Sequence, residues 1–265
     1  MNYLVDTHCH LDLIEEKGIG IENIIANCQQ NNVRILQTIS TKISNFAKIL
    51  QYTKHHNIFC SVGVHPCNVY QEGIVNAQTI IDLCNKHSKI IGIGETGLDY
   101  FHDLNFIDQQ QQSFIEHIIA SQQTGLPLIV HSRNADDDTI KILQQYLQQQ
   151  KFNIVLHCFS GSQKLADFAI ANNIYMSVAG IVTFKNATDL QNTVKQIPLE
   201  LLLLETDSPY LAPMPNRGKV NEPSNILHTA QFIADLKNIS LAELMQATTS
   251  NFYKIISSRI NGLLY

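Results

Sequence analysis

Leu4-Val5-Asp6-Thr7-His8-Cys9-His10 opens the chain as an apolar run that turns polar at its carboxyl end, with two histidines one residue apart. Side chains along a strand alternate between faces, so an extended run sends residues 8 and 10 the same way and lets both imidazoles grip one ion. Imidazole suits zinc and its first-row neighbours. A histidine pair is also an ordinary polar strand end, so its meaning depends on what the rest of the chain brings to meet it.

Outward from this stretch the same pattern recurs. Short apolar or β-branched runs at 33–39, 58–64, 89–94, 127–130, 153–156, 174–178 and 201–204 read as strands. Helical spacing occupies 21–31, 44–55, 77–87, 106–124, 139–149, 163–172 and about 187–196, with a final helical region at 225–236 and 241–257. In 106–124 the apolar stripe is 114, 115, 118 and 119, which leaves Gln109 to Gln112 as a solvated first turn. Strand and helix in alternation predict a parallel sheet, and eight strands predict a TIM-type (β/α)8 barrel. No Ser/Gly-rich linker divides residues 1–265, so one domain is expected.

The polar residues that close these runs are His8 and His10 on the first strand, His65 on the third and Glu95 on the fourth. His131 closes the fifth, His157 the sixth and Asp207 the eighth. In a parallel barrel the carboxyl ends of the strands meet at one mouth, so these residues are expected to converge there. Taken singly each has a plain alternative: His131 and His157 as backbone-satisfied histidines, Glu95 as a turn cap, Asp207 before Ser208-Pro209 as an Asx-turn residue. Together, His8, His10, Glu95, His131, His157 and Asp207 exceed one tetrahedral zinc shell. They suit two ions bridged by Glu95, whose strand lies between those of the two histidine pairs. Two such ions, about 3.5–4 Å apart, lower the pKa of a shared water and clamp both oxygens of an in-line phosphoryl displacement. They also make a positive pocket for an anionic substrate.

Composition narrows the partners. A chain of 265 residues with 45% hydrophobic content has enough apolar surface for a sizeable core. A net charge of -5 excludes coating nucleic acid by bulk charge, so any such contact must be local. The six cysteines, at 9, 28, 60, 67, 84 and 158, form no Cys-x-x-Cys pair and mostly lie in apolar runs, which predicts reduced thiols and a cytoplasmic home. No apolar segment reaches about 18 residues and no basic-then-apolar leader is visible, so neither membrane span nor secretion signal is expected.

The chain resembles the TatD family of metal-dependent deoxyribonucleases, within the amidohydrolase-like barrels. Seven ordered motifs carry the resemblance: Asp6-Thr7-His8-Cys9-His10, Gly63-Val64-His65-Pro66, Gly94-Glu95-Thr96-Gly97-Leu98-Asp99-Tyr100, His131-Ser132-Arg133-Asn134-Ala135, His157-Cys158-Phe159-Ser160-Gly161, Glu205-Thr206-Asp207-Ser208-Pro209-Tyr210-Leu211, and Arg217-Gly218-Lys219-Val220-Asn221-Glu222-Pro223. The resemblance implies divalent-metal hydrolysis of nucleic-acid phosphodiesters. It implies that His8, His10, Glu95 and Asp207 hold one ion while Glu95, His131 and His157 hold the other, the metals being zinc, manganese or magnesium. After Asp99-Tyr100 the family often carries a Tyr-Arg-containing stretch where this chain has Phe101-His102, and the missing arginine is expected to weaken substrate contact.

On this reading Asp207 ligates an ion and accepts a proton from the attacking water. His65 contacts phosphate or protonates the leaving oxygen, or is simply a turn residue before proline. Glu205 shares a face with Asp207 by the two-residue period, and either supports a ligand, serves as a further ligand itself, or pairs structurally within the barrel. Arg133, Arg217 and Lys219 offer phosphate contacts and Tyr100 or Phe101 a stacking surface, against their plainer reading as surface and packing residues. The expected substrate is DNA, with RNA and D-aminoacyl-tRNA, an ester associated with family relatives, as alternatives. A hydrolase of cyclic amides, esters or lactones is a further possibility, although the bridging position reads Glu95 where many amidohydrolases use a carboxylated lysine. A barrel that binds metal without catalysis is the remote one.

Overall fold

Strand and helix take turns because the apolar runs are short and rich in Ile, Val and Leu, while the segments between them carry apolar residues at helical spacing. The computed structural model describes residues 3–102 and 104–260. Its strands are β1 (Leu4–Cys9), β2 (Val33–Thr38), β3 (Ile58–Val62), β4 (Ile90–Asp99), β5 (Leu128–Arg133), β6 (Ile154–Leu156), β7 (Tyr175–Val178) and β8 (Leu202–Leu204). They lie side by side in chain order and every neighbouring pair is parallel, the arrangement of a TIM-type barrel.

Closure occurs just beyond the last strand. His8 O accepts the Asp207 N–H at 2.9 Å and Ser208 O accepts the His10 N–H at 2.8 Å. Below that seam the Thr206 hydroxyl donates to Asp6 Oδ2 at 2.6 Å, and its N–H to Asp6 Oδ1 at 2.9 Å. The first and last strands are thus stitched at the mouth by the backbone that carries three of the expected site residues.

Apolar residues split into two layers. The larger lies between strands and helices, where Leu4, Ile58, Ile90, Phe114, Leu128 and Leu202 are fully buried. The smaller fills the lower barrel: Val5, Ile35, Phe59, Ile91, Val155 and Leu203 pack against Phe252, Ile255 and Ile256, so the helix Leu241–Ile255 and the residue after it plug the end opposite the mouth. That helix begins with an N-cap, the Ser240 hydroxyl accepting the Glu243 N–H at 3.1 Å. Each such buried side chain contributes about 1.5–3 kcal/mol. A polar layer sits above the plug, with the Thr7 hydroxyl 3.0 Å from Ser177 Oγ and donating to Leu204 O.

Several local readings need correction. β4 does not stop before Glu95 but runs on to Asp99, and β5 continues past His131 to Arg133, paired as Gly97 to His131 and Asp99 to Arg133. Two glycines of β4 are sites of close approach. A Cβ on Gly97, at φ +135°, would sit 2.1 Å from His131 O, and one on Gly94, at φ +130°, 2.5 Å from Ile129 O. The helix read as 139–149 starts at Asp136, with Asp136, Asp137 and Asp138 filling a first turn that favours negative charge. Short helices Leu11–Glu16 and Val69–Glu72 follow the first and third strands, where none was expected.

The Gln-rich turn is not merely solvated. Gln110 is fully buried; its Oε1 accepts the Asp99 N–H at 2.8 Å and its Nε2 donates to Asp99 O at 3.2 Å. Gln111 donates to the Tyr100 hydroxyl and to Asp138. Among the described residues no helix is long and apolar enough to cross a membrane.

Candidate metal centre at the barrel mouth

Two irregularities in the strands aim the ligands. In β1, Val5 packs into the lower barrel and Thr7 bonds across it, so strict alternation would send His8 outward. The β1–β2 register shifts between Asp6 and Cys9, after which Cys9 packs into the outer layer and His8 and His10 face the mouth. In β4, Ile93 packs outward, yet Glu95, two residues on, points inward across a register shift between Ile93 and Thr96. Such bulges re-aim side chains. Asp207 turns inward from a left-handed backbone conformation, φ +53°, which aspartate tolerates better than most residues.

Glu95 is the centre of the arrangement. Its Oε2 stands 3.5 Å from His8 Nε2, while its Oε1 stands 2.7 Å from His157 Nε2, 3.0 Å from His131 Nδ1 and 3.4 Å from His65 Nε2. Asp207 Oδ1 lies 3.3 Å from His10 Nε2 and 3.7 Å from His8 Nε2. The His8 and His157 rings stack at 4.0 Å and 10°. All six expected ligands therefore converge: His8 packs against Glu95 and His157, and the other five line a cavity of about 860 Å³ whose wall also includes His65, Cys67, Asp99, His102, Arg133 and Tyr210.

The electrostatics follow from packing carboxylates among imidazoles out of water. Burial opposes ionisation of Glu95, but His157, His65 and His131 outweigh it and hold its carboxyl well below the usual range. Burial likewise opposes charge on His157, but Glu95 and Glu205 prevail and raise it well above 6.5. His8, lacking so close a carboxylate, is lowered by burial and by His157 beside it.

The donor set fits divalent cations. Both ring nitrogens of His8, Nδ1 of His10, Nδ1 of His157 and Oε2 of Glu205 are buried without a hydrogen-bond partner, an expensive condition unless a cation is coordinated. Two triads, His8-His10-Asp207 and His65-Glu95-His131, bring donor atoms within 4.8 Å of one another. Imidazole and carboxylate together serve zinc and its harder neighbours.

Around this set lie residues that orient it. Asp99 is fully buried; its Oδ2 sits 3.1 Å from His131 Nε2 and its Oδ1 accepts the N–H groups of Phe101 and His102. In the sequence Asp99 falls beyond the apolar run and reads as loop, whereas it is the last residue of β4. Glu205 is also fully buried and serves His157 rather than Asp207: its Oε1 is 3.4 Å from His157 Nδ1 and accepts the Cys158 N–H at 2.7 Å. Carboxylates behind metal-binding histidines fix ring orientation and raise basicity.

Both readings of His65 hold at once. Its Nδ1 accepts the Cys67 N–H at 3.0 Å in the turn before Pro66, and its Nε2 faces Glu95. Arg133 lines the cavity, its guanidinium 4.1 Å from the centre of the Phe101 ring. Tyr100 donates to Asp138 at 2.8 Å and lines a neighbouring groove with Arg133. Arg217, stacked on Phe184, and Lys219, reaching Asn216, lie on the loop after β8 and are not among the described residues lining the mouth.

A parallel barrel with histidines and carboxylates gathered at its mouth is built as a metal-dependent hydrolase, and comparison with known proteins places the chain in that class. The profile of the TatD related DNase family matches residues 5–257. An uncharacterized metal-dependent hydrolase of Buchnera aphidicola subsp. Acyrthosiphon pisum is 42% identical over 259 residues, covering 94% of this chain and 97% of the relative. YcfH of Escherichia coli K12, likewise described as an uncharacterized metal-dependent hydrolase, is 35% identical over 98% of this chain and 99% of its own. Among solved structures, the TatD homolog YJJV of Escherichia coli K12 superposes with a TM-score of 0.86 at 26% identity, covering 95% of this chain and 97% of its own. The chain belongs to the TatD family.

Proposed function

We propose that this hydrolase cuts DNA phosphodiester bonds, working as an exonuclease with two divalent ions. The observation that carries the reading is the division of labour within Glu95, one oxygen toward His8 and the other toward His131 and His157. Zinc, manganese or magnesium held by His8, His10, Glu95 and Asp207, and by Glu95, His131 and His157, would supply an activated water and positive charge for the phosphate.

The remaining steps belong to the chain. Asp207 keeps 15% of its side chain exposed at the rim, so a carboxylate oxygen is placed to accept the water's proton. The Cys67 N–H occupies His65 Nδ1, which puts the proton of the neutral ring on Nε2, facing the mouth. Burial pushes the His65 pKa down to about 3 against the pull of Glu95, so the neutral ring donates a hydrogen bond to a phosphoryl oxygen. Arg133, braced on Phe101, is placed to meet a flanking phosphate, with Tyr100 beside it. Arg217 and Lys219 would reach only a polynucleotide that extends beyond the mouth. Six cysteines, none of them in a disulfide among the described residues, suit a reducing, cytoplasmic setting.

The test incubates the purified protein with end-labelled single- and double-stranded DNA, RNA and a D-aminoacyl-tRNA, each with zinc, manganese or magnesium and with a chelator. A metal-dependent ladder from DNA is expected, and its direction gives the polarity. Release of amino acid with DNA intact would replace the nuclease reading by an ester hydrolase. Metal uptake with no turnover of any substrate would mark a binding protein.

A further inference from the structure

Beside the six ligands, a second kind of donor set lies on the wall of the same cavity. The turn after β3 carries Cys67, the end of β4 carries Asp99, and the loop beyond carries His102. A sulfur, a carboxylate oxygen and a ring nitrogen from these three residues lie within 4.8 Å of one another. All three line the mouth cavity. Donors in a tetrahedral zinc shell stand roughly 3.3–3.8 Å apart. The half-exposed His102 ring has room to close the difference, and the open side of the cavity leaves a fourth position for water or substrate.

Asp99 is fixed before any ion arrives. Gln110 holds both its N–H and its carbonyl, and the N–H groups of Phe101 and His102 hold Oδ1. Its Oδ2 already stands 2.8 Å from His102 Nδ1, so two of the three donors are pre-assembled. Pre-organised donors lose less freedom on binding than mobile ones.

We propose that Cys67, Asp99 and His102 form a further cation site, selective for thiophilic divalent ions such as zinc or cobalt over magnesium and manganese. Thiolate is a soft ligand, and a set of one sulfur, one nitrogen and one oxygen suits zinc, whereas magnesium demands oxygen. Binding releases the Cys67 proton to solvent and forms the metal–sulfur bond. Asp99 Oδ2 is also 3.1 Å from His131 Nε2, so an ion held here bears on the carboxylate that orients a mouth histidine.

Cobalt(II) alone tests this, because a thiolate ligand gives it an intense near-ultraviolet charge-transfer band that imidazoles and carboxylates do not. The full-length protein, stripped by chelator and titrated with cobalt, is expected to develop that band. Cys67→Ser should abolish it and His102→Ala should weaken the affinity behind it at least tenfold. Cys158→Ser, which changes the other thiol in this cavity, should leave it intact, and circular dichroism checks that each variant is folded. Absence of the band from the wild type, its survival in folded Cys67→Ser, or its loss in folded Cys158→Ser would overturn the proposal. Because the readout is spectroscopic, it is independent of whether DNA is the substrate.

Discussion

Asp99 Oδ2 stands 3.1 Å from His131 Nε2, on the far side of the ring from Glu95, which lies 3.0 Å from Nδ1. One carboxylate thus holds the imidazole from behind while the other meets it in front. Asp99→Asn keeps the shape but loses the charge that raises the basicity of His131. Removing a group of this kind typically costs 10–100-fold in metal affinity. The expected result is weaker zinc binding by competition with a chromophoric chelator, with activity recovering at high metal concentration. Unchanged affinity would reduce Asp99 to a structural role.

Asp207→Asn removes the proposed proton acceptor and weakens one ligand. Turnover at saturating metal should fall by roughly 10²–10⁴-fold, the usual contribution of a positioned general base. The circular dichroism spectrum should be that of the wild type, since the seam at this residue is made by its backbone N–H to His8 O. A variant that stays fully active with its metals bound would exclude the role.

Gly97→Ala forces a Cβ to within 2.1 Å of His131 O at a backbone angle, φ +135°, that L residues rarely adopt. Both neighbours are strand backbone and neither can yield cheaply. A loss of roughly 3 kcal/mol is expected, lowering Tm by about 6–12 °C in a chain of this size. Calorimetry of the two proteins side by side decides it, and equal melting temperatures would count against the close approach.

His117 supplies a pH signature from within the core. Its Nδ1–H donates to Ser113 O at 2.7 Å and its Nε2 accepts the Val64 N–H at 3.1 Å, fixing a neutral ring in the core. Burial pushes its pKa from 6.5 down to about 4, against the Ser113 carbonyl. The unfolded chain takes up this proton near pH 6.5 and the folded one only near 4, so the contribution is complete above 6.5. It is lost as pH falls between those values, by about 1.4 kcal/mol per unit and roughly 3 kcal/mol in all. Urea melts at pH 7 and 4.5 should show a steeper decline for the wild type than for His117→Gln. Parallel declines would contradict it.

Chelation and return of metal give the last expectation. Ions that bind only the folded state stabilise it by mass action, about 2.7 kcal/mol at a hundredfold excess over Kd. Saturating zinc should raise Tm in the wild type and much less in His8→Ala, which lacks the ring with two orphaned nitrogens. An equal rise in both would place the stabilising ion elsewhere.

The barrel was legible because apolar runs and helical stripes alternate without interruption, and the six mouth residues because each follows or ends such a run. Local bends were not legible. The fourth strand reads as ending at Gly94, yet Gly94 and Gly97 both lie inside β4, close against the backbone of β5. That error hid Asp99, and with it the grip of Gln110, whose Gln-rich setting looked like solvated surface. The two-residue period placed Glu205 beside Asp207, but β8 ends at Leu204 and the chain then leaves strand geometry, so Glu205 meets His157 instead. Periodicity carries a side chain's direction only while the strand lasts.

Asp6 and Thr206, joined at the seam, are 200 residues apart in sequence. A chain emerging from the ribosome therefore exposes His8 and His10 long before the aspartate that completes their set has been made. Until the final strand docks, the nascent polypeptide holds only fragments of the cage. The set is complete only once Asp207 has been made and the backbone beyond the last strand has closed against the first.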